Sequence, residues 1–143
     1  MTSRPGDTSI ERVAADANVV LSAVTGRAAL KVFTQSGLEV VSTASVLEEV
    51  REYLPVMAES YGMAGELLET QLRLLAIKEY PLEAFRRCIP RATRLIGGRD
   101  PDDAHLLALA LALGIPVWTN DRDFEGTGVE CYATARLLKV LGL

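Results

Sequence analysis

Two kinds of apolar spacing alternate along the chain: short unbroken runs that suit buried strands, and longer runs at helical period. Val13-Ala14-Ala15 predicts a first strand from Arg12 to Asp16, closing on an acid. Asn18 to Ala23 starts a helix, Gly26 interrupts it, and Arg27 to Gln35 resumes it with Ala28, Leu30, Val32 and Phe33 apolar. Ser36-Gly37 is a turn, and Leu38 to Val41 a second strand. Ser42-Thr43 opens the next helix, in which Ser45 and Glu48 have capping-box spacing. Val46, Leu47, Val50 and Leu54 form its core-facing stripe, with Glu48 and Glu49 beside it. Pro55 predicts a break or a new cap, and Val56 to Tyr61 and Met63 to Ala76 two further helices split at Gly62. Ile77 to Tyr80 suits a short strand or an extended link. Pro81 opens a helix through Cys88, and Pro90 a further set of turns ending near Ile96.

The stretch from Gly98 to Glu125 is patterned differently. Asp100-Pro101-Asp102-Asp103 has the form of a helix start, with Asp100 at the N-cap and Pro101 at the first helical position. Ala104 to Leu113 is apolar on every side apart from His105, which predicts a helix inside the core. Gly114 ends it, Ile115 to Trp118 is a short buried strand, and the strand stops at Thr119-Asn120-Asp121. Gly126 and Gly128 make a turn, Val129 to Ala133 a last strand and Thr134 to Leu141 a last helix. Strands alternating with helices predict an α/β fold, a parallel sheet with helices on both faces. The expected organisation is a flexible tail over residues 1–10 and one domain over 11–143.

Composition narrows the class. With 49% apolar residues, 143 residues suffice for a core. A net charge of −4 and a pI near 5.0 argue against a generally basic surface for gripping nucleic acid. They do not exclude nucleic acid, because a metal-binding acid cluster carries negative charge that the ion neutralises. Cys88 and Cys131 are isolated and fit reduced thiols. No signal-peptide pattern or membrane-spanning run is present, so the expectation is a cytoplasmic protein without a membrane partner.

The candidate chemistry lies in the acids. Asp16 ends the first strand, Glu48 or Glu49 follows the second, Asp103 sits in the first turn of the buried helix, and Asp121 ends the next strand. Singly, each has an ordinary reading as a cap, a turn former or a solvated helix acid. Jointly, they recur at the same place in separate β–α units, and a parallel sheet brings them to one edge. No Lys or Arg adjoins all four, so a cation must sit between them. Hard oxygen donors at that density suit Mg²⁺ or Mn²⁺ and not zinc. Such a site hydrolyses phosphodiesters. From Ala84 to Arg99 there are five arginines and no acid; Arg87, Arg91 and Arg94 share helical spacing, and with Arg99 they are candidates for RNA phosphates or an acidic partner. A solvated basic face is the plainer alternative for that stretch.

These motifs together resemble the PIN-domain nucleases, in particular the small VapC-like prokaryotic ones. The matching segments are Ala15-Asp16-Ala17-Asn18-Val19 with Ser22, Val46-Leu47-Glu48-Glu49-Val50, Asp100-Pro101-Asp102-Asp103-Ala104, and Thr119-Asn120-Asp121-Arg122-Asp123-Phe124, in family order. The resemblance implies a three-layer α/β/α sandwich with a mostly parallel central sheet, and Mg²⁺- or Mn²⁺-dependent cleavage of RNA. It implies catalytic metal ligands at Asp16, Glu49, Asp103 and Asp121, with Asp123 as a fifth acid. It favours Glu49 over Glu48, and makes Asp100 a helper or cap beside Asn18, Ser22 and Thr119 as pocket-lining groups. Asp102 is left as a solvated helix-start acid. A homodimer and a cognate antitoxin are the partners the family suggests. The competing readings are a non-catalytic PIN-like binding module and, further off, a phospho-receiver domain.

Overall fold

The computed structural model describes residues 10–97 and 100–143; positions 1–9 of the expected tail, and Gly98 and Arg99, lie outside the described residues. Five strands, β1 (Arg12–Ala15), β2 (Glu39–Thr43), β3 (Ile77–Tyr80), β4 (Val117–Trp118) and β5 (Cys131–Tyr132), form one sheet in the order β3-β2-β1-β4-β5. All four pairings are parallel. Among the described residues the helices are α1 (Ala17–Val24), α2 (Leu30–Gln35), α3 (Ala44–Tyr61), α4 (Gly65–Leu74), α5 (Ile89–Ile96), α6 (Pro101–Leu113) and α7 (Thr134–Leu141). The architecture is the three-layer α/β/α sandwich, its sheet parallel throughout and not only for the most part. Val13, Ala14 and Ala15 are fully buried, as a central parallel strand covered on both faces requires.

Strand order reverses at β1. The chain runs outward from β1 to β2 and β3, then returns across the sheet to β4 on the other side of β1. Asp16 directly follows β1 and Asp121 lies just past β4, so the two acids flank the switch point, where the crevice of an open α/β sheet forms. The helix that brings Asp103 there runs through the core: Ala104 and Leu106 to Ala110 of α6 are all buried. Burying each leucine contributes about 1.5–3 kcal/mol, which makes α6 a rigid support. Asp100 caps it, accepting the Asp102 N–H at 2.9 Å, and Gly114 (φ +66°) ends it in the left-handed conformation that favours glycine.

Several expected boundaries move, each for a local reason. Pro55 does not break the chain: α3 continues to Tyr61. Pro55 and Arg51 are both exposed, so the proline lies on the solvent side of the helix, where a missing N–H costs least. The cap of α3 is Thr43, not Ser45; Thr43 has extended backbone and its Oγ1 accepts the Val46 N–H at 3.2 Å. Pro81 to Cys88 is not a helix but two 3-10 turns, Leu82–Ala84 and Arg86–Cys88, separated by Phe85, which is buried in the core. Arg27 to Ala29 form an i→i+3 turn before α2, with Leu30 N–H bonded to Arg27 O at 2.9 Å. β4 and β5 are shorter than their apolar runs; β4 begins after Pro116, which has no N–H to give to the ladder.

Candidate functional site

Asp16 is placed by two elements at once. It ends β1 and caps α1, its Oδ1 accepting the Val19 N–H at 2.9 Å. Its other oxygen accepts the Thr119 hydroxyl. Thr119 Oγ1 in turn accepts the Asp121 N–H at 3.0 Å, so one hydroxyl links the end of β1 to the loop after β4. That loop is pinned from behind: Trp118 Nε1 donates to Thr134 Oγ1 at 3.0 Å, and Asn120 Oδ1 accepts the Thr134 N–H at 2.8 Å. Asp121 caps the 3-10 turn Arg122–Phe124, accepting the Asp123 N–H at 3.2 Å.

These elements enclose a cleft of about 170 Å³ lined by Asp16, Asn18, Glu49, Asp100, Asp103, Asp121 and Asp123, with Ala17 and Val46 as its apolar lining. All five acids expected at the pocket are there, with Asp100 and Asn18. Thr119 is not part of the lining; it is 3% exposed and lies beneath the cleft, holding Asp16. Ser22 does not line it either; it is part-way along α1, its carbonyl accepting Thr25 Oγ1 at 3.0 Å. Glu48 is exposed, whereas Glu49 is partly buried and faces the cleft. Arg87, in the second 3-10 turn, and Arg91 and Arg94, on α5, are exposed and contribute no side chain to the cleft; Arg99 lies outside the described residues.

Asp102 departs from its expected role. Its carboxylate comes together with those of Glu49 and Asp100, the three offering oxygen atoms all within 4.8 Å of one another. Asp102 is partly buried and its carboxyl is pushed up, first by burial and then by the Asp100 charge, with His105 opposing. Nothing in a helix-start sequence distinguishes such an acid from a solvated one; the signal was the excess of three aspartates over what one cap needs.

The electrostatics have one sign. Burial pushes the Asp16 carboxyl above the usual range, the Thr119 and Val19 hydrogen bonds pull it back, and the Asp121 charge pushes it up again. Glu49 is raised by burial and by Asp102, Asp100 and Asp16. Asp103 is pushed up to about 7, by burial and then by Asp100, Asp123, Asp16 and Asp121. Among the described residues, no Lys, Arg or His lines the cleft. A set of carboxylates plus one amide fits a hard divalent cation such as Mg²⁺ or Mn²⁺.

Solved structures similar in fold include three from different prokaryotes. A chain from a toxin–antitoxin complex of Klebsiella pneumoniae matches with a TM-score of 0.64 at 17% identity, over 85% of this chain and 97% of that one. PAE2754 of Pyrobaculum aerophilum matches with a TM-score of 0.64 at 18% identity, over 93% and 90% of the two chains. VapC20 of Mycobacterium tuberculosis, a toxin that cleaves the sarcin-ricin loop, matches with a TM-score of 0.56 at 16% identity, over 82% and 95%. No curated protein matches the chain in sequence. The family model for the PIN domain matches residues 14–141, from within β1 to the end of α7, and with the acid cleft at the sheet's switch point this places the chain in the PIN domain family.

Proposed function

We propose that this protein is a divalent-metal-dependent endoribonuclease, and that Asp16, Glu49, Asp103 and Asp121, with Asp123, hold its Mg²⁺ or Mn²⁺. The observation that carries the reading is the convergence of these acids, from four separate segments, in one cleft. When bound, such an ion lowers the pKa of water and offsets charge on the phosphodiester. The chain's own contribution is placement. Asp16 is held by Val19 N–H and Thr119, and Asp121 by its cap and by the same Thr119 hydroxyl, so both keep fixed orientation before any ligand arrives. The buried α6 fixes Asp103 opposite them, and one carboxylate of the set orients the attacking water. The exposed arginines Arg87, Arg91 and Arg94, with Arg99, then lead RNA phosphates toward the cleft.

A toxin of a toxin–antitoxin pair, paired with a cognate antitoxin and acting in the cytoplasm, is the biological setting we infer. The likeness in fold to the K. pneumoniae and M. tuberculosis chains supports it. A homodimer is part of the same reading.

The test is cleavage of single-stranded RNA with Mg²⁺ or Mn²⁺ by the wild type, Asp16→Asn and Asp121→Asn. Wild type is expected to cut, chelation to stop it, and each variant to be slowed by about 100-fold or more, since even supporting partners of a metal ligand are worth about 10–100-fold. Equal cutting by all three proteins removes the reading, and a folded wild type that never cuts leaves the non-catalytic binding module in its place.

A further inference from the structure

Among the described residues, a single side-chain hydrogen bond joins α3 to α6: Ser45 Oγ and His105 Nδ1 lie 3.1 Å apart. Ser45 precedes Glu49 by one turn of α3, and His105 follows Asp102 by one turn of α6. The bond therefore sits beside the place where Glu49 meets Asp100 and Asp102. Asp102 and Asp100 push the Glu49 carboxyl up by charge repulsion, and that repulsion acts to part the two helices. The imidazole is also held by the buried Phe85, whose ring stands edge-on to it at 5.7 Å between centroids and 63° between planes. His105 is the chain's one histidine, and the chemistry above gives it no part.

We propose that the Ser45–His105 bond is a brace that sets the distance of Glu49 from the acids of α6, and through it the affinity of the cleft for a divalent cation. The proposal rests on the metal reading given above. A hydrogen bond between a hydroxyl and an imidazole joins the helices without adding a fixed positive charge to compete with the ion. A Lys or Arg at the same place would join them and neutralise the site as well. Ser45 and His105 are positioning residues; neither lines the cleft.

The experiment is Mn²⁺ binding, followed by the electron paramagnetic resonance of the free ion, for the full chain and four variants. Ser45→Ala and His105→Ala are each expected to weaken binding by about 10-fold, the lower end of the range for groups that support a metal ligand. The double variant should bind no more weakly than either single one, because both remove the same bond. His105→Asn, whose amide can reach the position of Nδ1, should recover most of the affinity. Ser45→Ala removes one exchangeable hydroxyl and keeps the helix, and its metal-free melting temperature serves as the folding control. Wild-type affinity in both single variants overturns the brace and leaves the metal centre standing. Additive losses in the double variant also overturn it, since they assign the two residues separate roles. A wild type that binds no Mn²⁺ overturns the metal reading and the brace together.

Discussion

α5 and α6 lie against each other and follow opposite plans. α6 is buried nearly all round, and its charged residues are confined to its first turn. α5 buries only Ala92 and Ile96, and turns Arg91 and Arg94 to solvent. The charges from described residues that act on Asp16, Glu49 and Asp103 are acidic, and Arg91 and Arg94, although close in sequence, contribute no side chain to the cleft. The contrast separates two tasks. Carboxylates that repel one another need a scaffold that cannot yield, and an apolar helix in the core supplies it. On the proposed reading, the arginines are cations for a polyanion that need freedom and water, and an amphipathic surface helix supplies those.

The largest expected effect that can break this contrast is on stability. Leu107→Ala in α6 should destabilise the fold by about 2–5 kcal/mol in urea denaturation, because Leu107 is fully buried and its loss leaves a cavity. Arg91→Ala in α5 should stay within about 0.5 kcal/mol of wild type. Comparable small changes in both would mean that α6 is not the rigid member of the pair.

A smaller effect sharpens the electrostatic half. Asp16, Glu49, Asp102 and Asp103 all have raised folded-state pKa values, Asp103 at about 7. The metal-free folded protein therefore holds protons that the unfolded chain has already released, so stability is greatest at low pH and falls as pH rises toward 7. Metal-free protein should melt at a higher temperature near about pH 5 than near about pH 8 by scanning fluorimetry, other groups equal. Mn²⁺ should raise the melting temperature most at the higher pH, where it binds carboxylates already ionised. A metal-free melting temperature that climbs between those two values would contradict the account of acids raised by burial and by one another's charge.

The smallest effect concerns α5. Replacing Arg87, Arg91 and Arg94 together by Ala should weaken RNA binding and reduce the salt slope of log K by about 2, at about 0.7 per phosphate contact. The melting temperature should not move. An unchanged slope would make the three arginines an ordinary solvated face.

What could be read in the sequence was what neighbours in the chain decide. Asp100-Pro101 announced the start of α6, Gly114 its end, and the Val13-Ala14-Ala15 run its central strand, because caps and periodicity act over a few residues. Groups joined across the fold could not be read. Thr119 and Asp16 are separated by 103 positions, and Ser45 and His105 by 60. Ser45 looked like a cap because its spacing to Glu48 is that of one; Thr43 was the better cap because it keeps the extended backbone of the strand it ends. Pro55 looked like a break because the sequence does not say which side of a helix faces water.

Asp16, Asp100 and Asp121 share one habit: each begins a helical segment by accepting a backbone N–H. Asparagine begins helices about as well as aspartate does. Exchanging one oxygen for an amide at Asp16 or Asp121 thus removes charge from the cleft while keeping the oxygen that caps the helical segment. On the nuclease reading proposed above, the outcome is an inert double of the protein, able to hold a target RNA that it does not cut, and so a bait with which that RNA can be recovered whole.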